Sequence, residues 1–429
     1  MFIPINLMFY HLKGRRDVRF RLKSIIKSFV RKLIETLHIC MNMPLILLDM
    51  LTPKRNDYWI FPTYFIGEGA FCDNNLAVFE KVKYDRHIKK IILTKSKKVN
   101  VYGENIIVIP INSIRAIWYI FRSNVIFIQH SIWLDLSQSK YQLIYPFSRH
   151  IINLWHGVAI KDISHPNTGI VNNRSELEIP NYSVIASSSR DAENMKKAFH
   201  LAKKENFWVT GLPRNDFLKM DENNLPHSYQ KELNSLRVIK RDKRLILYAP
   251  TYREVQSGGR QYEFTELELV QLNEYLIKAN AILGLRYHIY RKPNSYEKLL
   301  SFENIIEISE EMVSDVRLII RESDLIITDY SSLYVDALYI DKPCLSFSYD
   351  YDHYMKNQRG FFYDFDSIFP GKICKSFDIL MCELYKNVNF NRQSSNEIVK
   401  INKIKKTLFK YNDSNNSQRV IDNVMEFLK

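Results

Sequence analysis

The stretch "LIITDYSSLYVDALYIDKPCLSF" (325–347) decides how this chain is read. Its first residues are an apolar, β-branched run of the kind that forms a strand buried on both faces. The run ends in Thr328-Asp329-Tyr330-Ser331-Ser332, after which Leu333, Asp336, Ala337 and Ile340 recur at helical spacing, and "CLSFS" (344–348) reads as a further strand. Strand, polar junction, helix, strand is the repeating unit of a parallel α/β sheet. The junction leaves two readings open. Its hydroxyls cap the helix, or they face a ligand beyond the carboxyl end of the strand, where open α/β sheets bind theirs.

Working outward from this unit, short β-rich runs recur in two series. The first holds "YWIFP" (58–62), "KIILT" (90–94), "NIIVIP" (105–110), "NVIFIQH" (124–130), "INLWH" (152–156), "SVIAS" (183–187) and "FWVTG" (207–211). The polar connector "KMDENNLPHSYQKE" (219–232) closes it. "RLILYAP" (244–250), "RYHIYRKP" (286–293), "NIIEIS" (304–309) and "DLIITD" (324–329) open the second. The expected organisation is an N-terminal segment (1–55), a first Rossmann-like domain (56–232) and a second with a helical tail (233–429).

The 429 residues carry 61 Lys and Arg against 47 Asp and Glu, a net charge of +14. With a pI near 9.3, an anionic partner is expected: nucleic acid, acidic lipid or a phosphorylated substrate. Residues 13–32, "KGRRDVRFRLKSIIKSFVRK", hold nine basic residues and one acid, Asp17. Across 20–37, Leu22, Ile25, Ile26, Phe29, Val30, Leu33, Ile34 and Leu37 keep a 3–4 spacing, with Lys23, Lys27, Arg31 and Lys32 largely on the other side. This is a basic amphipathic helix suited to an anionic membrane surface, or else a helix packed on its own domain with a solvated basic face. The uncharged run "TLHICMNMPLILL" (36–48) is too short to span a bilayer, and no cleavage site for a signal peptide follows it. No nucleic-acid-binding motif accompanies the charge, so nucleic acid is not an expected partner. Five cysteines without a C-x-x-C pair suit a reducing compartment and argue against a disulfide framework or zinc site.

The polar residues that end the strands carry the candidate chemistry. Trp155-His156-Gly157 places a histidine, able to take a proton from a hydroxyl near neutral pH, beside a glycine that admits a close neighbour. A core histidine bonded to backbone is the alternative. Gly211-Leu212-Pro213-Arg214-Asn215-Asp216 and Thr251-Tyr252-Arg253 end two further strands, and Arg253 offers a fixed cation fitted to phosphate. Arg291 and Lys292 form a similar cationic end. Ser331 and Ser332 can donate to phosphate oxygens, whereas Asp329 suits a backbone N–H or a ligand hydroxyl. There is no glycine-rich P-loop. Asp350 and Asp352 formally match D-x-D, yet no acidic cluster calls for a metal.

Taken together, "DYWIFPTYFIGEGAFCDNNLAVFEKV" (57–82), "LWHGVAIKDI" (154–163), "TGLPRND" (210–216), "YAPTYRE" (248–254), "RKPN" (291–294) and "ITDYSSLYVDALYIDKPCLSFSYDYDHYMKNQRGFFYDF" (327–365) resemble the CDP-glycerol glycerophosphotransferase family, the teichoic-acid and capsule polymer transferases of bacteria. The resemblance implies a GT-B-like pair of Rossmann-type domains around a cleft, without a cofactor. It implies peripheral attachment to the cytoplasmic face of the plasma membrane, and transfer of an alditol phosphate from CDP-glycerol or CDP-ribitol to a glycan or polyol-phosphate acceptor, with release of CMP. By motif matching, His156 is expected as general base. Arg253, Lys292, Thr328, Asp329, Ser331 and Ser332 are expected at the donor's diphosphate, with Gly157, Arg214, Asp216, Arg291, Asp336, Arg359 and Gly360 in support. Lys292-Pro293 stands where the family usually has His-Pro, which keeps a cation but changes the acid–base group. A GT-B glycosyltransferase using a nucleotide sugar is the alternative reading.

Overall fold

The computed structural model describes residues 43–63, 70–95, 99–136, 144–164, 178–251, 261–287, 298–357, 360–386 and 395–429. The expected amphipathic helix at 20–37 lies outside them. Two parallel sheets organise the chain. The first has seven strands in the order β3-β2-β1-β4-β5-β6-β7: β1 Arg55–Pro62, β2 Lys89–Thr94, β3 Ile106–Pro110, β4 Ser123–Ile128, β5 His150–Asn153, β6 Tyr182–Ala186 and β7 Phe207–Val209. The second has six, β10-β9-β8-β11-β12-β13: β8 Arg244–Tyr248, β9 Ala281–Leu285, β10 Ile305–Glu307, β11 Leu325–Thr328, β12 Cys344–Phe347 and β13 Lys372–Cys374. Each sheet starts from a central strand, winds outward, then switches to the other side. This is the Rossmann order, and its switch point opens a crevice at the carboxyl ends of the strands.

The strands form where their residues are buried on both sides, as in "YSVIA" of β6 and "LIIT" of β11, every residue of which is buried. The strand β9, "AILGL" at Ala281–Leu285, was not expected; of the run read at 286–293, Arg286 and Tyr287 are in no strand and the rest lies outside the described residues. Gly284 obscures the apolar run of β9, and a side chain there would meet Ile308 Cδ1 at 2.4 Å and Leu245 Cδ1 at 3.1 Å. The absent Cβ is what lets β9 lie flat against its neighbours.

Three apolar layers hold the sheets. One outer layer covers the first sheet (Ile91, Ile126, Ile151, Met195) and another the second (Tyr248, Leu276, Leu325, Phe377). The middle layer is shared, joining Phe61, Phe79 and Leu212 from the first half to Leu247, Ile319 and Tyr334 from the second. A crossing segment contributes as well. The helix Asn416–Phe427 packs on the helix Asp73–Val82, burying Val420, Ile421 and Val424, and sets Phe427 against His150 and Trp208 of the first sheet. The halves thus share a core, with their strand ends facing one cleft.

Candidate active site

The turn after β5 presents His156. Asn153, fully buried, shapes it: its Oδ1 accepts from the Trp155 N–H at 2.9 Å, and its Nδ2 donates to Tyr182 Oη at 2.8 Å and to the His130 carbonyl at 3.2 Å. Asn74 Nδ2 donates to the carbonyls of Leu154 (3.0 Å) and Trp155 (2.9 Å). Held from both sides, Trp155 takes a φ of 48°, a left-handed conformation that costs an aromatic residue on the order of 1–2 kcal/mol. Gly157 follows at φ 146°. Left-handed backbone on both sides of a histidine, strained at Trp155, is a mark of function.

His156 Nδ1 lies 3.2 Å from the Gln129 carbonyl. A carbonyl only accepts, so Nδ1 carries the hydrogen and Nε2 is the basic nitrogen. Burial lowers the ring's pKa to about 3, with the neighbouring His130 and Arg214 adding to the effect and the Gln129 carbonyl and Asp73 opposing it. The imidazole is therefore neutral, ready to accept a proton, across the physiological range. Its neighbour His130, at the end of β4, stacks on it with ring centroids 4.8 Å apart and planes inclined by 24°.

Arg214 ties this turn to the second half. Buried itself, it donates from Nη1 to the His156 carbonyl at 2.7 Å and from Nη2 to both Asp336 oxygens at 2.9 Å, with Asp73 Oδ2 3.4 Å from Nη1. Arg317 stands 3.4 Å from the same Asp73 oxygen and binds Asp315, which also accepts from Tyr229 Oη at 2.6 Å. Burial acts to raise Asp73, but Arg317 and Arg214 overcome it and hold its carboxyl below the usual range. Burial raises Asp336 in spite of the same two guanidiniums. Across the cleft, Ser332 Oγ lies 3.7 Å from the point a Gly157 Cβ would occupy, and Arg214 Nη2 only 3.0 Å from it. Here the base, the interdomain arginine and the second half's hydroxyl converge.

The two serines of the opening stretch divide the two readings between them. Ser331 Oγ accepts from the Leu333 N–H at 3.3 Å. Ser332, the residue before the helix Leu333–Tyr339, makes no capping bond with its side chain. Asp329 Oδ1 accepts from the N–H and hydroxyl of Thr251 (2.8 and 2.5 Å) and from the Tyr330 N–H (2.6 Å), joining β11's end to the segment that leads to Arg253. Thr328 is fully buried, and its hydroxyl donates to the Ala249 carbonyl at 2.7 Å. Asp216 likewise faces away from the cleft chemistry, because both its oxygens accept 2.8 Å bonds from Asn416 and Ser417 at the start of the crossing helix. Gly360 pairs backbone to backbone with the first half, accepting from Asp162 N–H at 2.7 Å, and nothing crowds its Cβ position. Arg253, Arg291, Lys292 and Arg359 lie outside the described residues.

Residue patterning missed His130, Asp135, Asp73 and Arg317. His130 sat in plain sight at a strand end, and the rule that singled out His156 would have found it. Arg317 lies inside a helix and has no local signature. Among the described residues, no group of three His, Cys, Asp or Glu side chains could hold a metal ion, and no helix is long and apolar enough to cross a membrane.

Comparison with known proteins gives this geometry a setting. The sequence model of the CDP-glycerol:poly(glycerophosphate) glycerophosphotransferases matches residues 49–426. The teichoic acid ribitol-phosphate polymerase TarK of Staphylococcus aureus is 31% identical over 286 residues, which are 64% of this chain and 52% of that protein. A teichoic acid poly(glycerol phosphate) polymerase of Bacillus spizizenii is 26% identical over 374 residues, 80% of this chain and 87% of that one. The chain spans about half the length of TarK and of its relative TarL. Among solved structures, the wall teichoic acid polymerase TagF superposes with a TM-score of 0.68 at 21% identity, covering 94% of this chain and 98% of that one. That likeness shows a shared GT-B-like fold.

Proposed function

The chain belongs to the CDP-glycerol:poly(glycerophosphate) glycerophosphotransferase family, and from that premise we propose that it transfers glycerol phosphate or ribitol phosphate from a CDP-alditol to a hydroxyl of a teichoic-acid-type acceptor, releasing CMP. The observation that carries this reading is the meeting of a neutral His156, with Nε2 basic, and the Ser332 hydroxyl across one cleft.

In the proposed reaction His156 Nε2 takes the proton of the acceptor hydroxyl. That oxygen bonds to the phosphorus bearing the alditol, the bond from this phosphorus to the bridging oxygen breaks, and CMP leaves with the electron pair. Base catalysis of this kind is worth on the order of 10²–10⁴ in rate. Ser332 donates to the diphosphate, and Arg253 and Lys292 neutralise it, as their motifs imply. Arg214 acts one layer behind, fixing the His156 carbonyl.

The acceptor is proposed to be presented at the cytoplasmic face of the membrane, with the chain bound there peripherally. The helix at 43–51 exposes Leu47, Leu48, Met50 and Leu51, and the helix Ile114–Arg122 exposes Ile114 and Trp118. Lys54, just past the first, donates to the Phe121 carbonyl at 2.8 Å and so ties the two together. An apolar face adjoining a basic segment at 13–32 suits an anionic bilayer. Flotation with phosphatidylglycerol vesicles should fail for Leu48→Ser/Leu51→Ser/Trp118→Ser if this is the contact.

The deciding experiment incubates the protein with CDP-glycerol, CDP-ribitol and a panel of nucleoside-diphosphate sugars while CMP release is measured. We expect release from a CDP-alditol alone, and its loss in His156→Ala with donor binding kept. Turnover of nucleoside-diphosphate sugars only, or full activity in His156→Ala, would overturn the reading.

A further inference from the structure

The mechanism draws on His156 and leaves the ring beneath it unexplained. The His130 side chain is only 9% exposed, and Asp135, at 2%, serves its segment through three bonds. Asp135 Oδ2 accepts from the N–H groups of Gln129 and His130 at 2.8 Å each, and Oδ1 lies 3.1 Å from His130 Nδ1. This carboxylate belongs to the short helix Ile132–Leu136 directly after β4, so strand end and helix form a closed local clamp. Both clamped residues touch the His156 ring. The Gln129 carbonyl accepts from its Nδ1, and the His130 ring stacks on its face.

We propose that the His130–Asp135 pair is a positioning device for His156, fixing both the plane of the base ring and the carbonyl that selects its Nδ1–H tautomer. The proposal rests on the alditol-phosphate transfer reading for its reaction. In that reaction the hydroxyl proton passes to His156, and His130 has no net gain or loss of a proton. The charged and titratable groups facing the two rings are Asp73 and Arg214 beside His156 and Asp135 and Tyr182 around His130. Burial is the largest cause holding protons off His156, and His130 is the next. A ring that merely packs would have no need of a buried carboxylate at its Nδ1.

Two variants separate these roles. His130→Asn keeps a nitrogen where Nδ1 stood and so retains the bond to Asp135, but loses the ring. His130→Phe keeps the stack and loses the polarity. CMP release is followed from pH 2.5 to 9, a range that reaches a ring titrating at about 3, and the His156 ring resonances are titrated by NMR over the same range in wild type and variants. We expect kcat to fall about tenfold or more for His130→Asn, as a loosened catalytic group implies, with KM for the CDP-alditol kept within about twofold. In both variants the acidic limb of the kcat profile and the His156 titration should move to higher pH, because one group opposing the imidazolium is gone. Folded variants whose pH limb and His156 titration coincide with wild type would overturn the proposal. If wild type releases no CMP from either CDP-alditol, the transfer reading fails by itself, and the NMR titration still decides for or against the pair. Should His130→Phe not fold, the same two readouts on His130→Asn decide.

Discussion

Replacing Arg214 by methionine removes three short charge-assisted bonds, two to Asp336 at 2.9 Å and one to the His156 carbonyl at 2.7 Å. Asp336 is 3% exposed, so its carboxylate would be left in the protein interior with Arg317 as its nearest remaining counter-charge. Breaking a buried pair from one side costs about 3–5 kcal/mol. The cost depends on pH. Burial already raises the Asp336 pKa, and losing Arg214 raises it further. A carboxyl whose pKa is raised by folding holds its proton more tightly folded than unfolded, so stability falls as pH climbs from the ordinary carboxylate range through the folded value. The deficit of Arg214→Met should thus be larger at pH 8 than at pH 5. Urea unfolding followed by tryptophan fluorescence at both pH values measures it. Arg214→Met/Asp336→Leu should recover most of the loss, since a well-packed apolar pair often replaces a buried ionic one at little cost. A single variant within about 1 kcal/mol of wild type at pH 8 would refute the buried interdomain link.

Three further outcomes follow from the site geometry. Ser332→Ala should raise KM for the CDP-alditol with little change in stability, while Ser331→Ala should cost about 1 kcal/mol in urea unfolding through the lost cap and leave KM nearly unchanged. Gly157→Ala should lose on the order of 1–3 kcal/mol of stability, because the residue sits at φ 146° and its Cβ would press on Arg214, and CMP release should fall with it. Wild type should lose stability as pH drops from 6.5 toward about 3, because in that window the unfolded His156 takes a proton that the folded one refuses. The slope reaches about 1.4 kcal/mol per pH unit, and His156→Asn, followed by acid titration of the urea midpoint, should lack this contribution.

The alternation of strands and helices was legible because parallel strands are buried on both faces and their apolar runs stand out. Twelve runs stand out, and the described residues form thirteen strands. The errors have physical causes. Gly284 interrupts β9, where a backbone is needed close to Ile308. β13 has three residues and leaves too short a pattern to see. At the site, the strand-end rule singled out His156, Gly157, Arg214 and Ser332 but passed over His130, whose partner Asp135 becomes visible only when the chain folds back after β4. Thr328 and Asp216 are residue types that bind ligands and frameworks equally well. Only their partners, Ala249 and the start of the crossing helix, tell the two uses apart. Arg317's place beside Asp73 depends on packing between residues far apart in the chain, which no local pattern encodes.

The crossing helix Asn416–Phe427 has a consequence for how the protein is made. All seven strands of the first sheet have left the ribosome once Val209 is out, yet the helix that covers the apolar side of Asp73–Val82 comes roughly 200 residues later, about 10–40 s at ordinary elongation rates. Throughout that interval the nascent first half carries an uncovered apolar stripe. That stripe is a natural site for a chaperone to hold, and its burial by Val420, Ile421 and Val424 would mark the moment when the two halves close into one cleft.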